Sequence, residues 1–331
     1  MTRRLALTAL AALSVTVGTA RAEMPKEISF GIVSTESTEA LKTEWTPFLA
    51  DMEKATGIKI EAFYASDYAG VIEAMRFNKV QVAWFGNASA IQAVDRSEGE
   101  VFAQKFYADG SKGYYSLLIT NTKSPLMSLD DVLKQPGKLT FGNGDPNSTS
   151  GFLMPGYYAW AKNGIDVRKH FTRIVNSNHE TNLMAVANQQ VDLATNNTED
   201  LAKFKKAHPD KAALIREIWR SPLIPADPIV WRKDLDDGAK QKIKAFLVAY
   251  GKDGSDVAHQ KEILQALGGW GGFLPSTNAQ LLPVRQVMIY KDRLKIEQDE
   301  SLSAEDKKKQ LADIDAKLAD LAKQAAAVAT Q

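Results

Sequence analysis

The chain has no cysteine in its 331 residues. It can form no disulfide, present no thiolate nucleophile and bind no metal through sulfur, so outside the cytoplasm core packing alone must hold the fold. Histidine is scarce as well. His170, His179, His208 and His259 are the whole set, and none stands at metal-ligand spacing, which disfavours a metalloenzyme and leaves no metal or cofactor expected. There is no P-loop, which excludes ATP hydrolysis of that kind, and no Gly-x-Ser-x-Gly nucleophile elbow. Net charge is small, +1 overall, so no nucleic-acid or polybasic membrane surface is implied.

Long apolar runs are confined to the start. Arg3 and Arg4 precede the apolar residues 5–20, and the run closes on Ala20-Arg21-Ala22 before Glu23. This reads as a secretory signal peptide over residues 1–22, with a small-x-small cleavage site. The run is too short and too rich in Ala and Thr to favour a membrane anchor. Losing Arg3, Arg4 and Arg21 takes the formal charge from +1 to −2. The remaining chain of about 300 residues is long enough for two domains.

Strand-like segments at 27–33, 59–64 and 80–85 alternate with helical ones, and Leu41, Trp45, Phe48, Leu49 and Met52 share one helix face. That alternation predicts βαβ units and a mostly parallel sheet. Strands at 101–107 and 114–120 complete a first lobe over 23–121. A second α/β lobe follows over 122–220, and residues 221–280 return to the first, so two crossing strands would join the lobes around a cleft. From residue 281 the tail reads as helical to 331. Within it Ser303 and Asp306 make a capping box, and Leu311, Ile314, Leu318 and Leu321 form a stripe, either packed on its own domain or open to a partner helix.

The central feature is Asn143-Gly144-Asp145-Pro146-Asn147-Ser148-Thr149-Ser150-Gly151, which leaves a strand and enters a helix. Such a turn leaves backbone N–H groups unpaired and attracts anions, and Ser148, Thr149 and Ser150 add three hydroxyls with no Lys or Arg nearby. A plain N-cap needs only one hydroxyl. His179, and the run Asn196-Asn197-Thr198-Glu199, also sit between a strand end and a helix start. In an open α/β sheet three such turns should converge. Tyr68, Trp84, Phe85, Tyr114 and Tyr115 lie at strand ends or helix starts of the first lobe, where rings could enclose a ligand or face a cation. Glu199 and Asp227 would repel a plain anion unless the ligand carries a positive group at its other end. Ser148 or Ser150 with His179 and Asp227 could also be drawn as a hydrolytic triad.

Several stretches carry a closer resemblance: residues 30–36, 67–70, 75–79, 83–87, 141–152, 179–182, 194–199 and 221–225. Together they resemble the phosphonate-binding periplasmic proteins of phosphonate ABC transporters. The resemblance implies a type II periplasmic-binding fold, a periplasmic location, closure over alkylphosphonates such as 2-aminoethylphosphonate, and delivery to an inner-membrane permease. It implies that Ser148, Thr149, Ser150 and His179 hold the phosphonate, that Tyr68, Glu199 and Asp227 take an ammonium, and that Tyr114 lines the pocket. Phe85 departs from the pattern, standing where Tyr is expected. The family's dimerisation through its C-terminal helix makes a homodimer a further expectation. The expected function is thus a non-enzymatic solute receptor, with a phosphate or phosphite receptor, or a phosphoester or phosphonate hydrolase, as alternatives.

Overall fold

The computed structural model describes residues 24–254 and 256–329. The expected signal peptide lies outside the described residues. Strands β1 (Glu27–Ile32), β2 (Lys59–Tyr64), β3 (Val82–Trp84) and β4 (Gly99–Tyr107) begin the first lobe. The chain passes through the two-residue β5 (Gly113–Tyr114) into a second lobe holding β6 (Ser116–Asn121), β7 (Thr140–Asn143), β8 (Arg173–Asn176), β9 (Leu193–Asn197) and β10 (Ile215–Arg220). It returns through β11 (Ile224–Pro225) and adds β12 (Pro228–Arg232) and β13 (Trp270–Pro275) to the first sheet. The sheets order β13-β4-β12-β3-β1-β2 and β10-β6-β9-β7-β8, and β5 pairs with β11 where the chain crosses.

Two expectations are corrected here. The sheets are mixed rather than mostly parallel: β1 pairs in parallel with β2 and β3, and β7 with β8 and β9, but β12 and β13 enter antiparallel, as do β6 and β10. Two of these strands, β6 and β12, come directly after the chain changes lobe and enter the sheet against their neighbours, whereas β13 reverses within the first lobe. The strand beginning at residue 116 also belongs to the second sheet, paired with β9 and β10, so the first crossing falls at β5 rather than after residue 121.

The first lobe's core is aromatic. Trp45, carried on the helix Thr38–Thr56, packs 5.3 Å from Trp84 and 5.7 Å from Trp270 between ring centroids, with Phe30 and Phe48 beside it. Such rings bury large area and hold fixed mutual geometry, which gives the cleft a rigid floor. The helix Asn87–Arg96 follows β3, with Asn87, Ala88, Ser89, Ala90, Ile91 and Ala93 buried. Helices Asp237–Ala249 and Val257–Ala266 likewise follow β12. The helical tail is made of two helices, Leu282–Glu297 and Ala304–Ala329. Half of the capping box forms, Ser303 Oγ accepting from Asp306 N–H at 3.1 Å and donating to Asp306 Oδ2 at 2.6 Å, while Ile314 and Leu321 of the stripe are buried within the chain, and Asp315 pairs with Arg293 of the preceding helix at 2.8 Å.

Candidate functional site

Five helix starts meet at one cavity between the lobes. Its lining includes Tyr68, the first residue of Tyr68–Arg76; Gly86, the N-cap of Asn87–Arg96; Ser148, Thr149 and Ser150, opening the helical stretch from Thr149; His179, the first residue of His179–Ala187; and Asn197 and Glu199 at the start of Thr198–Ala207. Helix starts carry a partial positive charge, so the cavity favours an anion with no cationic side chain in the turn itself, although several first-turn amides already have partners, Ala88 N–H on Thr149 Oγ1 and His179 N–H on the Thr35 carbonyl among them. The turn folds as it does because Gly144 and Gly151 touch: a Cβ on Gly144 would lie 2.5 Å from the Gly151 Cα, and Gly144 N–H donates to the Gly151 carbonyl at 3.0 Å. Ser148 Oγ caps the helix by accepting from Gly151 N–H at 3.0 Å. One hydroxyl therefore serves the cap, and those of Thr149 and Ser150 are not needed for it.

Those two hydroxyls are built into the walls. Thr149 Oγ1 accepts from Ala88 N–H of the other lobe at 2.8 Å, and Ser150 Oγ accepts from Asn197 Nδ2 at 3.3 Å. Either can still donate its own proton. His179 is buried, its Nε2 lies 4.0 Å from Asp200 Oδ2, and its Nδ1 has no hydrogen-bond partner. Burial pushes the imidazole down to about 4, so the ring is neutral at pH 7. Trp84 Nε1, on the opposite lobe, is also buried without a partner. Two orphaned polar atoms in the walls of one cavity mark a place where a ligand's oxygen atoms are expected.

The other end of the cavity carries charge. Asp227 Oδ1 accepts from Tyr114 Oη at 3.0 Å and from Asn87 Nδ2 at 3.4 Å, and Oδ2 lies 3.2 Å from Lys105 Nζ. Glu199 accepts from Lys105 Nζ at 2.9 Å and 2.6 Å, from Trp270 Nε1 at 2.7 Å and from Tyr107 Oη at 2.7 Å. Burial drives the Asp227 carboxyl up to about 6 despite Lys105. Burial acts on Glu199 in the same direction, but Lys105 with the Trp270 and Tyr107 donors outweighs it and holds the group below its usual value. Burial raises the phenols of Tyr68 and Tyr114, with Asp200 and Asp227 respectively adding to it, so both stay protonated donors.

A second charged cluster bridges the lobes at the cavity's edge. Lys203, on Thr198–Ala207, contacts Glu36 and lies 2.6 Å from Glu44, both of the first lobe. Burial raises both glutamates to about 7, with Lys203 lowering them in part. Other bonds cross the same gap: Tyr68 N–H to Asp145 Oδ2 at 3.1 Å, His179 N–H to the Thr35 carbonyl at 3.0 Å, and Ser37 N–H to Glu180 Oε2 at 2.7 Å. The lobes are therefore closed on each other.

Tyr68, Tyr114, Ser148, Thr149, Ser150, His179, Glu199 and Asp227 all line this cavity, as does Trp84. Phe85 and Tyr115 do not. Lys105, Lys203 and Trp270 were not singled out from the sequence. A signal for Lys105 was present: in β4, Val101, Ala103, Lys105 and Tyr107 alternate onto one buried face, and a charge on such a face demands a partner.

The family model for ABC transporter, phosphonate, periplasmic substrate-binding protein matches residues 30–281. The chain is 52% identical over 318 residues to the phosphonates-binding periplasmic protein of Escherichia coli strain K12, covering 96% of this chain and 92% of that one. A solved binding protein component of an ABC phosphonate transporter from Pseudomonas aeruginosa is 49% identical and superposes with a TM-score of 0.89, covering 93% of this chain and 100% of that one. A Prochlorococcus marinus protein solved with methylphosphonate is 20% identical, with a TM-score of 0.70 and coverage of 80% and 97%, and it supports the fold alone. With the two-lobed mixed α/β architecture and an anion-directed cavity between the lobes, the chain belongs to the periplasmic phosphonate-binding proteins of ABC transporters.

Proposed function

We propose that this protein is a periplasmic, non-enzymatic receptor that closes over an alkylphosphonate of the 2-aminoethylphosphonate type and hands it to an inner-membrane permease. The carrying observation is the pairing of two unlike ends in one cavity. The serine and threonine hydroxyls, the helix starts and His179 supply neutral donors for the phosphonate oxygens, while Tyr68, Tyr114 and Asp227 supply ring faces and an acceptor for an ammonium, with Glu199 beside them. A bare phosphate would have no use for the carboxylate end. A hydrolase would need His179 poised on a serine, yet Nδ1 has no partner and Nε2 faces Asp200 at 4.0 Å. No helix among the described residues is long and apolar enough to cross a membrane.

Calorimetric titration of the purified protein with 2-aminoethylphosphonate, methylphosphonate and phosphate tests the reading. Saturable binding of the phosphonates, with phosphate weaker, is expected. Ser150→Ala and His179→Ala should each weaken both phosphonates by similar factors, since hydrogen bonds to a charged group contribute about 1.5–3 kcal/mol, or roughly 10- to 150-fold. Binding of neither phosphonate, or release of inorganic phosphate seen by phosphorus NMR, would overturn it.

A further inference from the structure

The two carboxylates at the tail end are not equivalent. Glu199 receives four hydrogen bonds, two at each oxygen, from Lys105, Trp270 and Tyr107. A carboxylate offers about four acceptor positions, so Glu199 has none left. Asp227 receives three, from Tyr114, Asn87 and Lys105, and keeps one on Oδ2. Lys105 itself has a fully buried side chain behind the cavity wall, within 4.6–5.7 Å of the ring centroids of Trp84, Tyr107, Tyr114 and Trp270. Two carboxylates and one lysine leave this end with a single negative charge.

We propose that Lys105 is the specificity-determining residue of the tail end: it withdraws Glu199 from the ligand, leaves Asp227 as the one carboxylate open to an ammonium, and matches the cavity to a phosphonate carrying a single cationic group. This rests on the phosphonate reading above and goes beyond it, since it assigns opposite roles to two acidic residues and a role to a lysine that never touches the ligand. Glu199 becomes a positioning residue, clasping Lys105 and the first lobe from the second. With Lys105 in place, an aminoalkylphosphonate brings the tail end to neutrality. Without it, two carboxylates would face the ligand, and a phosphonate lacking an amine would meet the full repulsion.

The test is calorimetric titration of 2-aminoethylphosphonate and methylphosphonate into the intact protein, Lys105→Met, Glu199→Gln, Asp227→Asn and the double variant Lys105→Met/Glu199→Gln. In Lys105→Met, methylphosphonate should weaken by about tenfold or more and aminoethylphosphonate by distinctly less. Asp227→Asn removes the ammonium's own partner and should weaken the amine-bearing ligand most, whereas Glu199→Gln, which leaves Lys105 paired with Asp227 and the tail end neutral, should weaken it by less and methylphosphonate hardly at all. The double variant removes the buried charge together with its partner. It should return the ratio of the two affinities to that of the intact protein, and it carries the comparison should the single variant not fold. Equal shifts for both ligands in Lys105→Met, an altered ratio in the double variant, or a loss of the amine-bearing ligand in Glu199→Gln as large as in Asp227→Asn would each overturn the assignment. If the intact protein binds neither ligand, the phosphonate reading itself fails, which is a separate result.

Discussion

Removing the Lys203 ammonium should open the lobes. Lys203→Met leaves Glu36 and Glu44 facing each other with no counter-charge, beside Asp200 and Glu180. While the lobes stay closed these carboxylates must take up protons, and protonating one carboxylate of ordinary pKa at pH 7 costs about 3 kcal/mol. Breaking a buried pair by removing one partner costs a similar amount, roughly 3–5 kcal/mol. Opening returns both groups to water and avoids the cost, so the loss should appear as a shift from closed to open rather than as unfolding. Apparent affinity falls with the closed fraction, by roughly 100-fold for about 3 kcal/mol. The sign with pH follows: protonation in the closed state becomes easier by about 1.4 kcal/mol for each unit of acidification, so the variant's deficit should shrink roughly tenfold between pH 7 and pH 6. Small-angle scattering and calorimetry on the intact protein and the variant at both pH values give the result. Unchanged scattering with unchanged affinity, or a deficit that does not depend on pH, would refute the account of Lys203 as an interlobe latch.

Two other changes have defined outcomes. Gly268→Ala would place a Cβ 2.4 Å from Glu199 Oε1 at a φ of +135°, so it should loosen the clasp on Trp270 and weaken every ligand alike in titration; full affinity would mean the loop yields. For His179 the folded pKa of about 4 lies below the unfolded value near 6.5, so its contribution to stability is complete above pH 6.5 and is lost as pH falls toward 4. That loss amounts to about 3 kcal/mol at most, and His179→Gln should flatten the corresponding fall in melting temperature between pH 7 and pH 5; an equal fall in both proteins would place the titration elsewhere.

The head end of the site was legible in the sequence because it is local. A glycine-rich strand end, three consecutive hydroxyls and a helix start occupy nine residues, and His179 and Asn197 repeat the same grammar in the same lobe. Sheet composition was less legible, since the alternation of strands and helices does not tell where a chain leaves one lobe for the other, and it is there that β6 and β12 turn antiparallel. The charged partners were invisible for a related reason. Lys105 and Glu199 lie 94 positions apart and Lys203 and Glu36 lie 167, so which carboxylate meets which lysine is settled only by how the lobes close.

Closure itself depends on groups the protein cannot satisfy from within. Glu199, Lys203, Thr149 and the amides of Tyr68 and His179 all exchange water for partners on the opposite lobe, an exchange whose net gain per bond is modest, about 0.5–1.5 kcal/mol. Against this, the closed cavity buries His179 Nδ1 and Trp84 Nε1 with no partner on either lobe. Each buried polar atom left unpaired costs about 1–3 kcal/mol. The two penalties together cancel several of the cross-lobe bonds, and they are lifted by a ligand whose oxygens reach both atoms. A ligand favours one state only through contacts that differ between the states, and these two atoms sit on opposite lobes. A phosphonate that meets both therefore reports the presence of its head group directly to the hinge, while the paired charges around Lys105 and Lys203 supply the closing force in the absence of any cation in the anion-binding turn.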